Sequence, residues 1–307
     1  MATLYTQQSS NVAKTWILMS LFLVIVIAFG YVLSLYFDNE TILVFAIVLS
    51  LVMNIASYWF SDKIALATSG AKPIIKEQAP DFYNVVENLA ITAGLPMPRL
   101  YVINDPAPNA FATGRDKQHA AVAATSGLLG MMNKTELEGV IAHELSHIGN
   151  RDILLSSVVV VLVGIITLLS EYFLRIGLWG GFGGGGRRGG NDREGNGSIG
   201  LVIALVGIVF AILTPIIATV IQLAISRRRE SLADESGALL TRYPEGLASA
   251  LEKIEGYERP MIHANNATAH LYISNPFGSK EKTSFVARLF MTHPPIEERI
   301  AALREME

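Results

Sequence analysis

His143-Glu144-Leu145-Ser146-His147 sets two imidazoles and a carboxylate within five residues. On an α-helix, positions four apart differ by about 40° in projection and about 6 Å along the axis, so both rings can reach one metal ion. Glu144 falls about 100° round from His143, where it flanks such an ion without ligating it. This layout suits a Zn²⁺-activated water with Glu144 as the general base. The chain has six His, and chance places an H-E-x-x-H among them with an expected count of roughly 0.01.

Catalytic zinc usually takes three protein ligands and keeps one position open. The chain has no Cys, so thiolate sites and disulfides are excluded. After His147 it reads Ile148-Gly149-Asn150-Arg151-Asp152, which lacks the third His of an H-E-x-x-H-x-x-G-x-x-H site. The other common solution is a Glu from a later helix. Glu230-Ser231-Leu232-Ala233-Asp234 supplies one, with Asp234 a turn further on. Glu230 is the candidate third ligand, and Asp234 is spaced to accept a bond from a ligand His and fix its tautomer. Asp152 has no role legible at this level.

The motif must sit on a helix for this to work. Asn133-Lys134-Thr135-Glu136 offers an N-cap with Glu at the third position. Leu137, Val140, Ile141, Leu145 and Ile148 recur at helical spacing, which predicts one buried face. Upstream, residues 63–152 read as a compact α+β unit. Pro80 to Ala93 is predicted helical and Arg99 to Ile103 a strand. Asn109 to Gly114 and His119 to Thr125 are two further short strands. The small residues of Asn109 to Gly114 fit an ordinary edge strand, or a strand that pairs with an extended peptide.

Composition sets this unit in a membrane protein. Half of the 307 residues are apolar, 17% are charged, and the net charge is −3. No basic, aromatic-interleaved stretch points to nucleic acid. Trp16 to Phe37 and Thr41 to Phe60 are each about 20 residues of apolar sequence, enough to span a bilayer. Ile153 to Ser170 is borderline, and Ile199 to Ile225 is longer, with Pro215 inside. The first run lacks a cleavage signature and reads as a retained span. These runs predict about four transmembrane helices. Residues 1–62 form an amino-terminal pair, 153–226 a hairpin, and 227–307 a helical carboxy-terminal part. The glycine-rich stretch within 180–199 lies in the hairpin and reads as a flexible loop.

Lys14, Lys63, Lys72, Lys76 and Arg227 to Arg229 flank the spans on one side. This predicts that both termini and the polar segments are cytoplasmic. His147 then precedes the third span by six residues and Glu230 follows the fourth by five. A returning hairpin would bring the carboxylate back to the imidazoles, just above the membrane surface. Polar Glu136, Glu138, Asn150, Arg151 and Asp152 around the motif agree with a site outside the bilayer.

With these residues in view the chain resembles HtpX-type membrane zinc metalloproteases, relatives of the CAAX prenyl endopeptidases within the gluzincins. The likeness rests on the amino-terminal span pair, Asn109 to Gly114, His143 to Asp152, Arg227 to Asp234, and His293-Pro294-Pro295 with Arg299. It implies a mainly α architecture with an α+β catalytic domain of gluzincin (zincin) type. It implies one Zn²⁺ per chain held by His143, His147 and Glu230, with Glu144 as base. By the same likeness, His293, Arg299 and Asn109 contact the substrate or the transition state. His263 and His270 read as surface residues. The implied role is proteolysis of misfolded or damaged membrane proteins in stress-linked quality control, at the inner membrane. The alternatives are a CAAX-like processing protease and a non-catalytic zinc-binding scaffold.

Overall fold

The computed structural model describes residues 4–162, 164, 227–265, 267–278 and 294–306. Helices α1 (Leu4–Phe37) and α2 (Glu40–Thr68) form an antiparallel hairpin. Its turn is short because Asp38 takes a left-handed conformation and the Asn39 side chain caps α2 at Thr41 N. Both helices are long and apolar enough to cross a membrane. Ile17, Val24, Phe45 and Ile55 are exposed along them, which suits contact with lipid rather than water. Trp16 and Tyr36 lie 20 residues apart on α1, about 30 Å, the thickness of the hydrocarbon layer.

A four-stranded sheet follows, in the order β1-β2-β4-β3, with β1 Ala71–Pro73, β2 Arg99–Ile103, β3 Ala110–Thr113 and β4 Ala121–Thr125. Strands β2 and β4 are parallel and the other pairs antiparallel. All five residues of β4 are buried, as a central strand covered on both faces requires. Period-two alternation sorts the side chains. Leu100, Ala110, Ala112, Val122 and Ala124 face one core, shared with α3 (Pro80–Thr92) and the motif helix α5 (Lys134–Gly149). Ile103, Phe111, Ala121 and Ala123 face the other, shared with Leu18, Phe22 and Ala65 of the hairpin. The sheet therefore lies between helices α3 and α5 on one side and the membrane elements on the other.

The remaining helices are α4 (Ser126–Met131), α5 (Lys134–Gly149), α6 (Asp152–Leu162), α7 (Arg227–Thr241), α8 (Pro244–Glu255) and α9 (Ile296–Arg304). Helices α5 and α6 meet at 86°. The chain turns there because Asn150 ends α5 and Arg151 takes a left-handed conformation, φ 59°.

Strand Arg99 to Ile103 and the helix from Pro80 form as the sequence predicts, and α5 begins with the predicted capping box. Three differences have local causes. Strand β4 starts at Ala121, because Asp116 caps a 3₁₀ turn over Lys117–His119. Strand β1 and helix α4 were too short to show periodicity. Of the polar residues around the motif, Glu136, Asn150 and Asp152 are buried rather than solvated. Two helices are long and apolar enough to be spans among the described residues, or three if α5 and α6 form one bent span. The end of the third apolar run, all of the fourth, the glycine-rich loop and His293 lie outside them.

Candidate metal centre

Helix α5 is held by its core face. Val140, Ile141 and Ala142 are fully buried, and His143 and Glu144 are buried with them. The helix is thus enclosed on more than the single face its periodicity predicts. Helix α7 crosses α5 at Gly237, where an added Cβ would lie 2.9 Å from the backbone nitrogen of His143. Glu230, Asp234 and Gly237 recur at i, i+4 and i+7, so one face of α7 carries them all to α5. Gly139 plays the same part toward α8, where a Cβ would meet Leu247 N at 2.5 Å.

His143, His147 and Glu230 come together. Their ligating atoms lie within 4.8 Å of one another. His143 Nε2 and His147 Nε2 are 3.1 Å apart, and Glu230 oxygens lie 3.7 and 3.8 Å from them. Ligands on a tetrahedral zinc are separated by about 3.4 Å, given metal–ligand bonds of about 2.1 Å. Two imidazole nitrogens and a carboxylate oxygen at this spacing fit zinc in both donor chemistry and size. Glu144 lies beside the cluster, 2% exposed, in a cavity that Ala112, Ser156 and His270 also line.

Each imidazole has its own carboxylate behind it. Asp234 Oδ1 is 2.8 Å from His143 Nδ1, short but off the line of a well-aligned hydrogen bond. Arg299 in turn donates to both oxygens of Asp234, at 2.8 and 2.7 Å, and to Ile273 O at 3.0 Å. On the other side, Asp152 Oδ2 is 3.2 Å from His147 Nδ1. Asp152 Oδ1 takes a bond from Asn11 on α1 and lies 3.7 Å from Arg229. Asp152, which had no assignment from sequence, is the counterpart of Asp234.

Burial and charge set the protonation states of the metal-free site. Burial drives His143 down to about 4, against the pull of Asp234. Burial alone would lower His147 too, but Glu230 and Asp152 outweigh it and raise it to about 9. Burial lifts Glu144 to about 7, with the charge of His147 opposing and Glu230 assisting. The Ala112 backbone beside this carboxylate opposes the rise. Asp234 is held near 2, because the Arg299 guanidinium overcomes its burial.

The other sequence-derived candidates sit elsewhere. Arg299 is 3% exposed and stands behind Asp234, with its donors engaged there, rather than facing the cavity. Asn109 is buried and holds Ser274 through both its amide groups. His263 is exposed as expected, but His270 is not a surface residue. It lines the cavity and donates from Nε2 to Ser156 O at 3.0 Å. Its segment is irregular, so no periodicity could have flagged it.

Strand β3 is an edge of the sheet, but that edge is covered. Ala110 O accepts from Ile273 N at 3.0 Å, and Gly114 N donates to Ser157 Oγ at 3.1 Å. An extended peptide lying along β3 has to displace the chain's own residues from these positions.

Comparison with known proteins follows the same lines. The model of peptidase family M48 matches residues 76–307. A protease HtpX homolog from Caldanaerobacter subterraneus subsp. tengcongensis is 49% identical over 305 residues, covering 99% of this chain and 98% of that one. A protease HtpX homolog from Tropheryma whipplei is 45% identical over 303 residues, with the same two coverages. Among solved structures, S. mikatae Ste24p is similar at 21% identity and a TM-score of 0.49, over 95% of this chain and 67% of that one.

Proposed function

The chain belongs to peptidase family M48, and from that premise we propose a zinc-dependent endopeptidase acting through His143, His147, Glu230 and Glu144. At the coarser level it is a membrane protease that acts on protein. The observation that carries the finer reading is the three-ligand cluster of α5 and α7 with the buried Glu144 carboxylate beside it.

A zinc ion held there supplies an acidified water and a positive charge for the scissile carbonyl oxygen. The residues do the rest. Glu144 takes a proton from the attacking water and returns it to the leaving amine. Asp234 and Asp152 hold the two rings from behind.

We place the site and both termini on the cytoplasmic side of the inner membrane. The sheet and the site join the open end of the α1–α2 hairpin, where Lys14, Lys63, Lys72 and Lys76 cluster, while the turn at Asp38 has no Lys or Arg. The substrates we favour are misfolded or damaged membrane proteins under stress. His143 and Glu144 are so deeply enclosed that an extended, locally unfolded chain suits the site better than a folded surface.

Purified full-length protein in detergent tests this. Wild type and Glu144→Gln should each bind one zinc per chain. Cleavage of itself or of an unfolded membrane protein should fall at least about 100-fold in the variant. Wild-type cleavage by Glu144→Gln would remove the base assignment, and absence of zinc from both would remove the metal site.

A further inference from the structure

A polar side chain on a membrane helix needs a reason, because burying it away from water is costly unless it is bonded. Asn11 on α1 is 3% exposed, in a helix otherwise rich in Leu, Val and Ile. Its amide nitrogen has two protons and uses both outside its own helix. One bonds to Asp152 Oδ1 and the other to Asn150 O at 3.2 Å. These acceptors flank the 86° break between α5 and α6. Asn150 closes the motif helix and Asp152 opens the next, three and five residues past His147. Asn11 thus grips the break from the membrane side, 141 residues away in sequence from the carboxylate it holds.

We propose that Asn11 is a positioning residue for the metal site, acting through Asp152 on His147. The Asp152 carboxylate has two oxygens with separate duties. Oδ2 faces His147 Nδ1 at 3.2 Å, while Oδ1 is held by Asn11 with Arg229 at 3.7 Å. With Asn11 in place, Oδ2 stays presented to the ring, which keeps the proton on Nδ1 and leaves Nε2 free to ligate. Without it, the carboxylate is free to turn toward Arg229, and the break after Asn150 loses its clamp. The first membrane helix thereby becomes part of the metal centre. Trp16, at the level of the bilayer interface by its spacing from Tyr36, is five residues from Asn11, so the link sits about 7–8 Å outside the hydrocarbon.

This rests on the metal-binding reading of His143, His147 and Glu230, and the experiment separates the two. Zinc affinity is measured by chelator competition on the full chain in detergent, for wild type, Asn11→Leu, Asp152→Asn and the double variant. Asn11→Leu, which keeps the branching of Asn and suits the helix, should lose about tenfold or more in affinity, within the 10–100-fold range of such outer partners. The double variant should lose no more than Asp152→Asn alone, because both changes act through one contact. The absorption spectrum of Co²⁺-loaded Asn11→Leu should also depart from that of wild type, since His147 is less fixed. Thr15→Val, which removes a buried hydroxyl bonded only to Asn11 O of its own helix, should leave affinity unchanged. Should Asn11→Leu not fold, Asn11→Ala takes its place.

Wild-type affinity in Asn11→Leu, losses that multiply in the double variant, or an equal loss in Thr15→Val would each overturn the proposal. Failure of the wild type itself to bind zinc would overturn the metal-site reading and this proposal together.

Discussion

The two imidazoles of one motif live in different environments. His143 is sealed in the core, its side chain 1% exposed, and is backed by Asp234 with a bidentate Arg299. His147 keeps 15% exposure and is backed by Asp152, which leans on Asn11 and more loosely on Arg229. One half of the site belongs to the packed helical body and the other to the membrane hairpin. Four residues of helix separate a ring driven down to about 4 from a ring raised to about 9. The difference teaches that a His-His pair is defined by what stands behind each ring. Burial dominates on the first side and carboxylate charge on the second.

The strongest way to break this comparison is to unpair the two carboxylates in turn. Arg299→Leu leaves the charge of Asp234 buried without its guanidinium, and should destabilise the fold by about 3–5 kcal/mol in a thermal or denaturant melt. Arg229→Leu should cost well under half as much, since Asp152 keeps its bond from Asn11. Equal losses would mean that the two sides are alike after all.

Protonation gives the next largest effect. In the metal-free protein His147 is charged at neutral pH and His143 is not. The charged ring stabilises the metal-free fold fully below its ordinary 6.5, and that contribution fades as pH rises through about 9. Metal uptake runs the other way, because a ligand imidazole must be neutral. Zinc affinity should therefore rise by about tenfold per pH unit from near neutrality toward 9, with about one proton released per zinc. Calorimetry in buffers of different ionisation enthalpy measures that release. In Asp152→Asn the same rise should level off at lower pH; an unchanged profile would show that Asp152 does not set the charge of His147.

A subtler perturbation moves a helix and removes no ligand. Gly237→Ala forces a Cβ to within 2.9 Å of backbone at His143, so α7 must shift by a few tenths of an ångström and carry Glu230 with it. Zinc affinity should fall by about tenfold, or about 1.4 kcal/mol. Gly149→Ala, where nothing lies within 4 Å of the added methyl group, is the control and should change affinity little. The smallest effect belongs to the surface of the motif helix. Lys134 is exposed and lies 3.9 Å from half-buried Glu138, so Lys134→Ala should move stability by no more than about 0.5 kcal/mol.

Much of the candidate site can be read from the chain because its signals are local. The capping box at Asn133 and Glu136, the apolar spacing from Leu137 to Ile148, and the four-residue step between the rings all lie within one helix. The two spans of the hairpin are equally local, as runs of apolar residues. Glu230 is legible for a different reason. Only one carboxylate stands at the right distance beyond the last apolar run, with Asp234 a turn later. Asp152, Arg299 and His270 were misplaced or left without a role, because each acts through a partner far off in the chain. Asp152 meets Asn11 across 141 residues, Arg299 meets Asp234 across 65, and His270 meets Ser156 across 114. No periodicity or spacing encodes such pairs. The covered edge of β3 belongs to the same class, since Ile273 reaches it from an irregular segment.

The sequence by itself determined the chemistry on offer, with its two imidazoles, a base and a carboxylate, and no thiol in the chain. It also determined that a membrane anchor precedes the site, because length and hydropathy suffice to define a span. Only the tertiary structure decided which ring is neutral, which carboxylate stands behind which ring, and that the anchor reaches into the site through Asn11. Local patterns fix helices and donors, whereas burial and long-range charge fix protonation and orientation, and those exist only once the chain has packed.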